Sequence, residues 1–68
     1  MKWRFTTAGL DSNKRGWVVG GDVMADTIDM AVVVARQAGF QMLIDDGGVA
    51  TPGPYLITSL SISLLPHE

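Results

Sequence analysis

The chain contains no cysteine, so neither a disulfide framework nor a thiolate metal site is available to it. Its 68 residues are expected to form one domain, 1–68, of a size at which a single hydrophobic core is only marginally sufficient. Small domains without disulfides or metals often gain the missing stability by oligomerising. The absence of cysteine therefore favours a chain that associates with itself.

Long apolar runs and a surplus of positive charge are also missing. The longest purely apolar run, Met30 to Ala35, is far too short to cross a bilayer, and the N-terminal MKWRF lacks the apolar core of a signal peptide. We therefore expect no membrane contact and a cytoplasmic location. The formal net charge of −2 argues weakly against non-specific binding to nucleic acid.

Groups that could perform chemistry are scarce. The one histidine, His67, is next to last in the sequence, where residues are usually loosely ordered. Asp11 to Asp22 resembles a calcium-binding loop in spacing, but Arg15 occupies a ligand position, and a cation there excludes calcium. Gly20-Gly21 lacks the spacing of a phosphate-binding loop. We predict no catalytic residue, no metal and no cofactor, and we expect the chain not to be an enzyme.

The segment Asp26 to Gly39, DTIDMAVVVARQAG, has the pattern of an amphipathic helix. Asp26 is a candidate N-cap, and Gly39 is a candidate for the left-handed residue that commonly ends a helix. Small apolar residues dominate one face, which suits close packing on a sheet. Met30 and Val33 lie on the opposite face, where they predict a partner contact, although single exposed apolar residues are also ordinary.

Alternation of apolar and polar residues predicts strands on both sides of this helix. The predicted strands are, in chain order, Met1–Ala8, Trp17–Val19, Phe40–Asp45 and Tyr55–Leu65, with turns at Gly9–Gly16, Asp46–Gly48 and Thr51–Pro54. This ββαββ order predicts an α+β fold, in which a small antiparallel sheet of three or four strands has the helix packed on one face. The predicted core comprises Trp3, Phe5, Trp17, Val19, Phe40, Met42, Ile44, Leu56, Leu60, Ile62 and Leu64.

Further apolar residues fall on the reverse face of this predicted sheet, among polar neighbours: Val18, Leu43, Tyr55 and Ile57. Together with Met30 and Val33 they make up the predicted partner-binding set, since apolar patches that persist on a protein surface usually bind something. The final strand, Tyr55 to Leu65, is longer than its neighbours, so part of its backbone should overhang the sheet. An unpaired overhang is a template for another chain, and we expect a homodimer to form there.

Three functions are compatible with these features. The favoured one is a small non-enzymatic interaction module that binds another macromolecule, a protein, as a regulator or inhibitor of the type carried by phages and mobile elements. The second is an oligomeric small-molecule binder, with an apolar pocket walled by Trp17, Tyr55 and a row of serines, Ser59, Ser61 and Ser63. The third is a nucleic-acid binder that uses Lys2, Arg4, Lys14 and Arg15.

Two families are similar in shape. The chain length and the long final strand after a helix resemble the dodecin family of flavin-binding oligomers, whose flavin-stacking Trp lies on the strand after the helix. Phe40–Asp45 contains no Trp, so the resemblance implies no flavin site here. The run GDVMADTIDMAVVVARQ is similar to the strand-to-helix entry of HicB-type antitoxins, whose small sheet and helix neutralise a toxin. That resemblance implies a protein partner.

Overall fold

A computed structural model describes residues 1–45 and 51–66 of the chain. Within them lie three strands and one helix in the order ββαβ, and the helix packs on one face of an antiparallel sheet. The elements are β1 (Lys2–Leu10), β2 (Gly16–Met24), α1 (Ile28–Asp45) and β3 (Leu56–Leu64). The predicted α+β class is thereby confirmed. The predicted turn at Asp46–Gly48 and the tail residue His67 lie outside the described residues.

Strands β1 and β2 form a hairpin that pairs without interruption from Lys2 opposite Met24 to Leu10 opposite Gly16. Asp11 closes the turn, because its Oδ1 accepts hydrogen bonds from the backbone N–H groups of Asn13 (2.8 Å) and Arg15 (2.9 Å). The second strand was predicted to end at Val19, and this boundary is wrong. Pairing with β1 holds the backbone extended through Gly20 and Gly21, so tertiary context overrides the low strand propensity of glycine.

Strand β1 lies at the centre of the sheet, whose order is β2-β1-β3. Strand β3 pairs with β1 from Trp3 opposite Leu64 to Leu10 opposite Leu56. The register shifts between Ala8 and Gly9, which leaves Thr58 as the extra residue of a β-bulge. Because the whole of β3 is paired, the predicted overhang of Tyr55–Leu65 is absent. The edge of β3 that faces away from β1 pairs with no other described strand.

The helix continues to Asp45, so the strand predicted over Phe40–Asp45 is wrong, and with it the ββαββ order. Gly39 does not end the helix. A Cβ at this position would lie 2.8 Å from Cγ2 of Thr7, closer than ordinary contact, so glycine is there to let the helix approach the sheet. At the other end, Thr27 is the N-cap in place of Asp26, since its Oγ1 accepts the backbone N–H of Met30 at 3.2 Å.

The two faces of the sheet differ in cover. Alternate residues of β1, among them Trp3, Phe5 and Thr7, point toward the helix, and this face is called the helix-side face. The core there consists of Trp3, Phe5, Val23, Ala31 and Ala35, with Trp17 and Leu43 also buried. Contrary to the predicted core, Met42, Ile44, Leu56 and Leu64 are exposed. No described element packs on the other face, which is called the outer face.

Candidate interaction surface

The outer face of the sheet changes character along its length. At one end Lys2 and Arg4 of β1 form ion pairs with Asp22 of β2, with Arg4 Nε 3.2 Å and Lys2 Nζ 3.7 Å from its carboxylate. The middle row contains only small or hydroxyl side chains, Gly20, Thr6 and Ser61, while Ser63 lies in the row of Arg4 and Asp22. The far end is mainly apolar: its two rows bring together Val18, Ala8, Leu10 and Leu56, with Ser59 beside Ala8.

The helix covers the sheet unevenly. It packs chiefly against β2 and less against β1, while β3 lies beside it. The helix-side row of β3 is therefore only partly sheltered: Leu60 and Ile62 are half-buried and Leu64 is 53% exposed. This row, Leu60, Ile62 and Leu64, is called the β3 row. It gives one edge of the sheet an apolar strip that the described part of the chain does not cover.

The outward side of the helix carries a second apolar strip. Met30, Val33 and Ile44 are 55%, 50% and 57% exposed. At 100° per residue these three side chains fall within about 60° of one another around the helix axis. Gln37 lies between them on the same side, and it is exposed as well. This group, Met30, Val33 and Ile44, is called the helix stripe.

Strand β3 also has an edge whose backbone groups face away from the sheet. The backbone N–H of Leu65 donates to the carbonyl oxygen of Lys2 at 2.9 Å, which fixes the direction in which odd-numbered residues point. Because N–H and C=O directions alternate along a strand, those of Leu60, Ile62 and Leu64 point away from β1. No other described strand pairs with them. This row of donors and acceptors is available to a further strand.

An aromatic cluster holds the start of β3 against the helix. The ring of Tyr55 stacks on Phe40, with centroids 6.1 Å apart, and meets Trp17 edge-on at 6.3 Å. The Tyr55 hydroxyl donates to the carbonyl oxygen of Thr51 at 2.7 Å. Among the described residues, the buried Nε1 of Trp17 has no hydrogen-bond partner. Tyr55 is thus an anchor on the helix-side face, not a residue of the outer face as predicted.

The predicted partner-binding residues lie on three separate surfaces. Met30 and Val33 belong to the helix stripe, and Val18, which is 69% exposed, lies on the outer face. Leu43, predicted on a strand, is helical and only 3% exposed, because it follows Ala31, Ala35 and Gly39 at intervals of four residues on the inner side of the helix. Ile57 is half-buried on the helix-side face, since the bulge at Thr58 shifts its direction.

Several apolar residues are exposed although their exposure was not predicted from the sequence: Met24, Ile28, Ile44, Leu56 and Leu64. Ile44, Leu56 and Leu64, like the exposed Met42, belong to the predicted core. The four-residue spacing of Ala31, Ala35, Gly39 and Leu43 is the signal that could have extended the helix and turned Ile44 outward. For Leu64 the sequence holds no such signal, because its exposure depends on where the helix lies across the sheet. Leu56 is exposed because the bulge at Thr58 turns it to the outer face.

The residues named for the two alternative functions, the small-molecule binder and the nucleic-acid binder, do not lie together in the structure. Trp17 and Tyr55 lie on the helix-side face and the serine row lies on the outer face, so the pocket predicted between them is not formed within one chain. Lys2 begins β1 and Lys14 lies in the turn beyond its other end, so the length of the strand, about 26 Å, lies between them. The structure therefore places the four cations of the nucleic-acid alternative in two pairs at the two ends of the hairpin.

The described residues contain no candidate metal-binding group and no membrane-spanning helix. No group of three or more His, Cys, Asp or Glu residues that could hold a metal ion occurs in 1–45 and 51–66. A shallow cleft of about 860 Å³ lies at the charged end of the sheet, lined by Met1, Lys2, Arg4, Met24, Leu64, Leu65 and Pro66. The one helix in the described ranges is not long and apolar enough to cross a membrane.

Comparison of the chain with protein-family models, curated proteins and solved structures found no match. The function is therefore inferred from the geometry of the described residues.

Proposed function

We propose that this chain is a non-enzymatic interaction module that binds another protein through the helix stripe and so regulates or inhibits it. The observation that supports the proposal most is the exposure of Met30, Val33 and Ile44 on a helix whose opposite side is already packed. Apolar side chains that recur on one side of a helix, here three and eleven residues apart, are a common means of docking on an apolar partner groove.

The shape of the molecule supports the same proposal. Its radius of gyration is 12.4 Å, against about 11 Å for a typical compact domain of this length. A three-stranded sheet with a helix on one side leaves much of its apolar surface in contact with water, and such patches usually bind something. The charged residues beside the helix stripe are Asp29, Arg36 and Asp45, so both signs of charge border it.

The test compares variants that add positive charge to different exposed apolar surfaces. Met30→Lys/Val33→Lys places two cations in the helix stripe, and Val18→Lys places one cation at the apolar end of the outer face. All three positions are exposed, so each substitution should change the free energy of unfolding by no more than about 0.5 kcal/mol. Circular dichroism and urea unfolding would establish this before any binding experiment.

A partner would first be captured from the native host with the wild-type chain and then titrated with each variant by calorimetry. The double variant should weaken binding by about 30-fold or more, the effect of losing a central anchor worth about 2 kcal/mol. Val18→Lys should bind as the wild type does. Full affinity of the double variant would contradict the proposal, and selective loss with Val18→Lys would transfer the site to the outer face.

A further inference from the structure

We infer that two copies of this chain pair through the lateral edge of β3, antiparallel and about a two-fold axis at Ile62, to form one six-stranded sheet. The occupant of the β3 edge is thus a second copy of the same strand. This inference is independent of the proposed function, because it uses the edge of β3 and leaves the helix stripe exposed.

The backbone of β3 defines the register of this pairing. The bulge at Thr58 ends the regular part of the strand, and within that part the outward-facing groups belong to Leu60, Ile62 and Leu64. The middle of these three is Ile62. An axis there places Ile62 opposite its own copy and Leu60 opposite Leu64 of the second copy. Every outward N–H and C=O of the regular stretch then gains a partner.

The side chains match in the same register. On the helix-side face, the β3 rows of the two copies meet, and all their members are Leu or Ile. On the outer face, Ser61 lies opposite Ser63 of the second copy. Strand β3 contains no charged residue between Leu56 and Leu64, so self-pairing brings no like charges together. Opposed like charges would destabilise such a pair.

The other edge of the sheet is less suited to pairing. Strand β2 contains Asp22 and three glycines, Gly16, Gly20 and Gly21, and glycine weakens strand association. The helix also packs chiefly over β2. Charged residues on an edge strand and cover by a helix are two ways in which proteins prevent edge association. Strand β3 has neither feature, and the bulge at Thr58 leaves its second half regular.

The exposed area is of the size that a dimer would bury. The accessible surface is 4672 Å² for a chain of 7.3 kDa, whereas a monomeric protein of that mass typically exposes about 4,200 Å². The difference, about 500 Å², is what each partner contributes to the smallest specific interfaces, which total about 1,000 Å². Pairing would also cover the β3 row, the apolar strip beside the helix.

The first test is the oligomeric state of the wild type and two proline variants by sedimentation equilibrium. The wild type should sediment at twice its 7.3 kDa chain mass. Leu64→Pro removes an N–H that points away from β1, at an exposed side chain, so the monomer should stay folded while dimerisation weakens about tenfold or more. Ser63→Pro removes an N–H that faces β1, and it should unfold the chain.

The second test fixes the register through single cysteines, since the chain has none of its own. Ile62→Cys places each thiol opposite its copy, with Cα atoms about 5.5 Å apart, which is within disulfide reach. Ser59→Cys is the matched control, because the pairing separates it from its copy by about 20 Å. Under mild oxidation only Ile62→Cys should cross-link.

Three results would overturn the inference. A wild type that remains monomeric at millimolar concentration would show that a second copy does not occupy the edge. A dimer that Leu64→Pro leaves intact, with the variant folded, would place the interface elsewhere. A dimer in which Ser59→Cys cross-links and Ile62→Cys does not would reject the register. None of these results bears on the helix stripe, so the proposed function would stand or fall separately.

Discussion

Replacing Gly39 with alanine tests how the helix is seated on the sheet. In an exposed helix interior, glycine is about 1 kcal/mol less favourable than alanine, so propensity alone predicts that Gly39→Ala stabilises the protein. The new Cβ, however, would lie 2.8 Å from Cγ2 of Thr7, about 0.7 Å closer than an unstrained carbon contact. Overpacking of this kind costs about 1–3 kcal/mol. We expect Gly39→Ala to lower the free energy of unfolding by about 1 kcal/mol.

The steric origin of this loss can be isolated with Thr7→Ser. Serine keeps the hydroxyl that donates to the carbonyl oxygen of Ser59 at 3.2 Å and removes only the opposing methyl group. Alone, this change should cost about 1 kcal/mol, as deletion of one buried methyl group does. In the double variant the alanine methyl fills the space that serine vacates. The double variant should then be at least as stable as the wild type, with a coupling energy of about 2 kcal/mol.

The assay is urea unfolding followed by the fluorescence of Trp3 and Trp17, which are both buried. Protein concentration must be held fixed, because self-association would make the midpoint depend on it. Gln37→Gly, at an exposed position two residues away, measures the local cost of glycine without any contact to the sheet. A stabilised Gly39→Ala variant, or the absence of coupling to Thr7→Ser, would refute the close seating of the helix.

Two further predictions concern the turn of the hairpin and the bulge in β3. Asp11→Ala should lower the free energy of unfolding by about 1–3 kcal/mol, because the N–H groups of Asn13 and Arg15 lose their acceptor. Asp11→Asn keeps an acceptor oxygen, so its loss of stability, measured by thermal circular dichroism, should be less than half as large. Equal losses for the two variants would contradict the role of Asp11 as the acceptor in the turn. Gly9→Ala should destabilise by about 3 kcal/mol or more, since a Cβ there would overlap the carbonyl oxygen of Leu56. A Cβ at Gly16 would lie 4.0 Å from the carbonyl oxygen of Gly9, an ordinary contact, so Gly16→Ala should change stability by no more than about 0.5 kcal/mol. Similar melting temperatures for the two alanine variants would be evidence against the close strand approach.

Much of the fold could be predicted from the sequence because its signals are local. The alternation in β1 and β3, the turn formers after Leu10 and the amphipathic pattern that begins near Thr27 each depend on neighbouring residues. The exposure of Met30 and Val33 was predicted for the same reason. The predicted elements therefore agree with the structure wherever a residue's local preference and its long-range contacts coincide.

The errors occur where long-range contacts override local preference. Gly39 has the local character of a helix terminus, but it lies inside the helix, at a point where the sheet leaves no room for a side chain. Gly20 and Gly21 suggest the end of a strand, but pairing with β1 continues through them. The missing cover over β3 is set by the position of the helix across the sheet, which no short stretch of sequence encodes.

The chemical character of the outer face changes from one end of the strands to the other. Ions lie at the end marked by Arg4 and Asp22, hydroxyl groups lie in the middle, and alkyl groups lie at the end marked by Val18 and Leu56. An extended segment of a bound molecule would meet these three zones in sequence, so reversing it would place its polar groups on alkyl carbon. Two chains joined along β3 would present two such tracks that run in opposite senses.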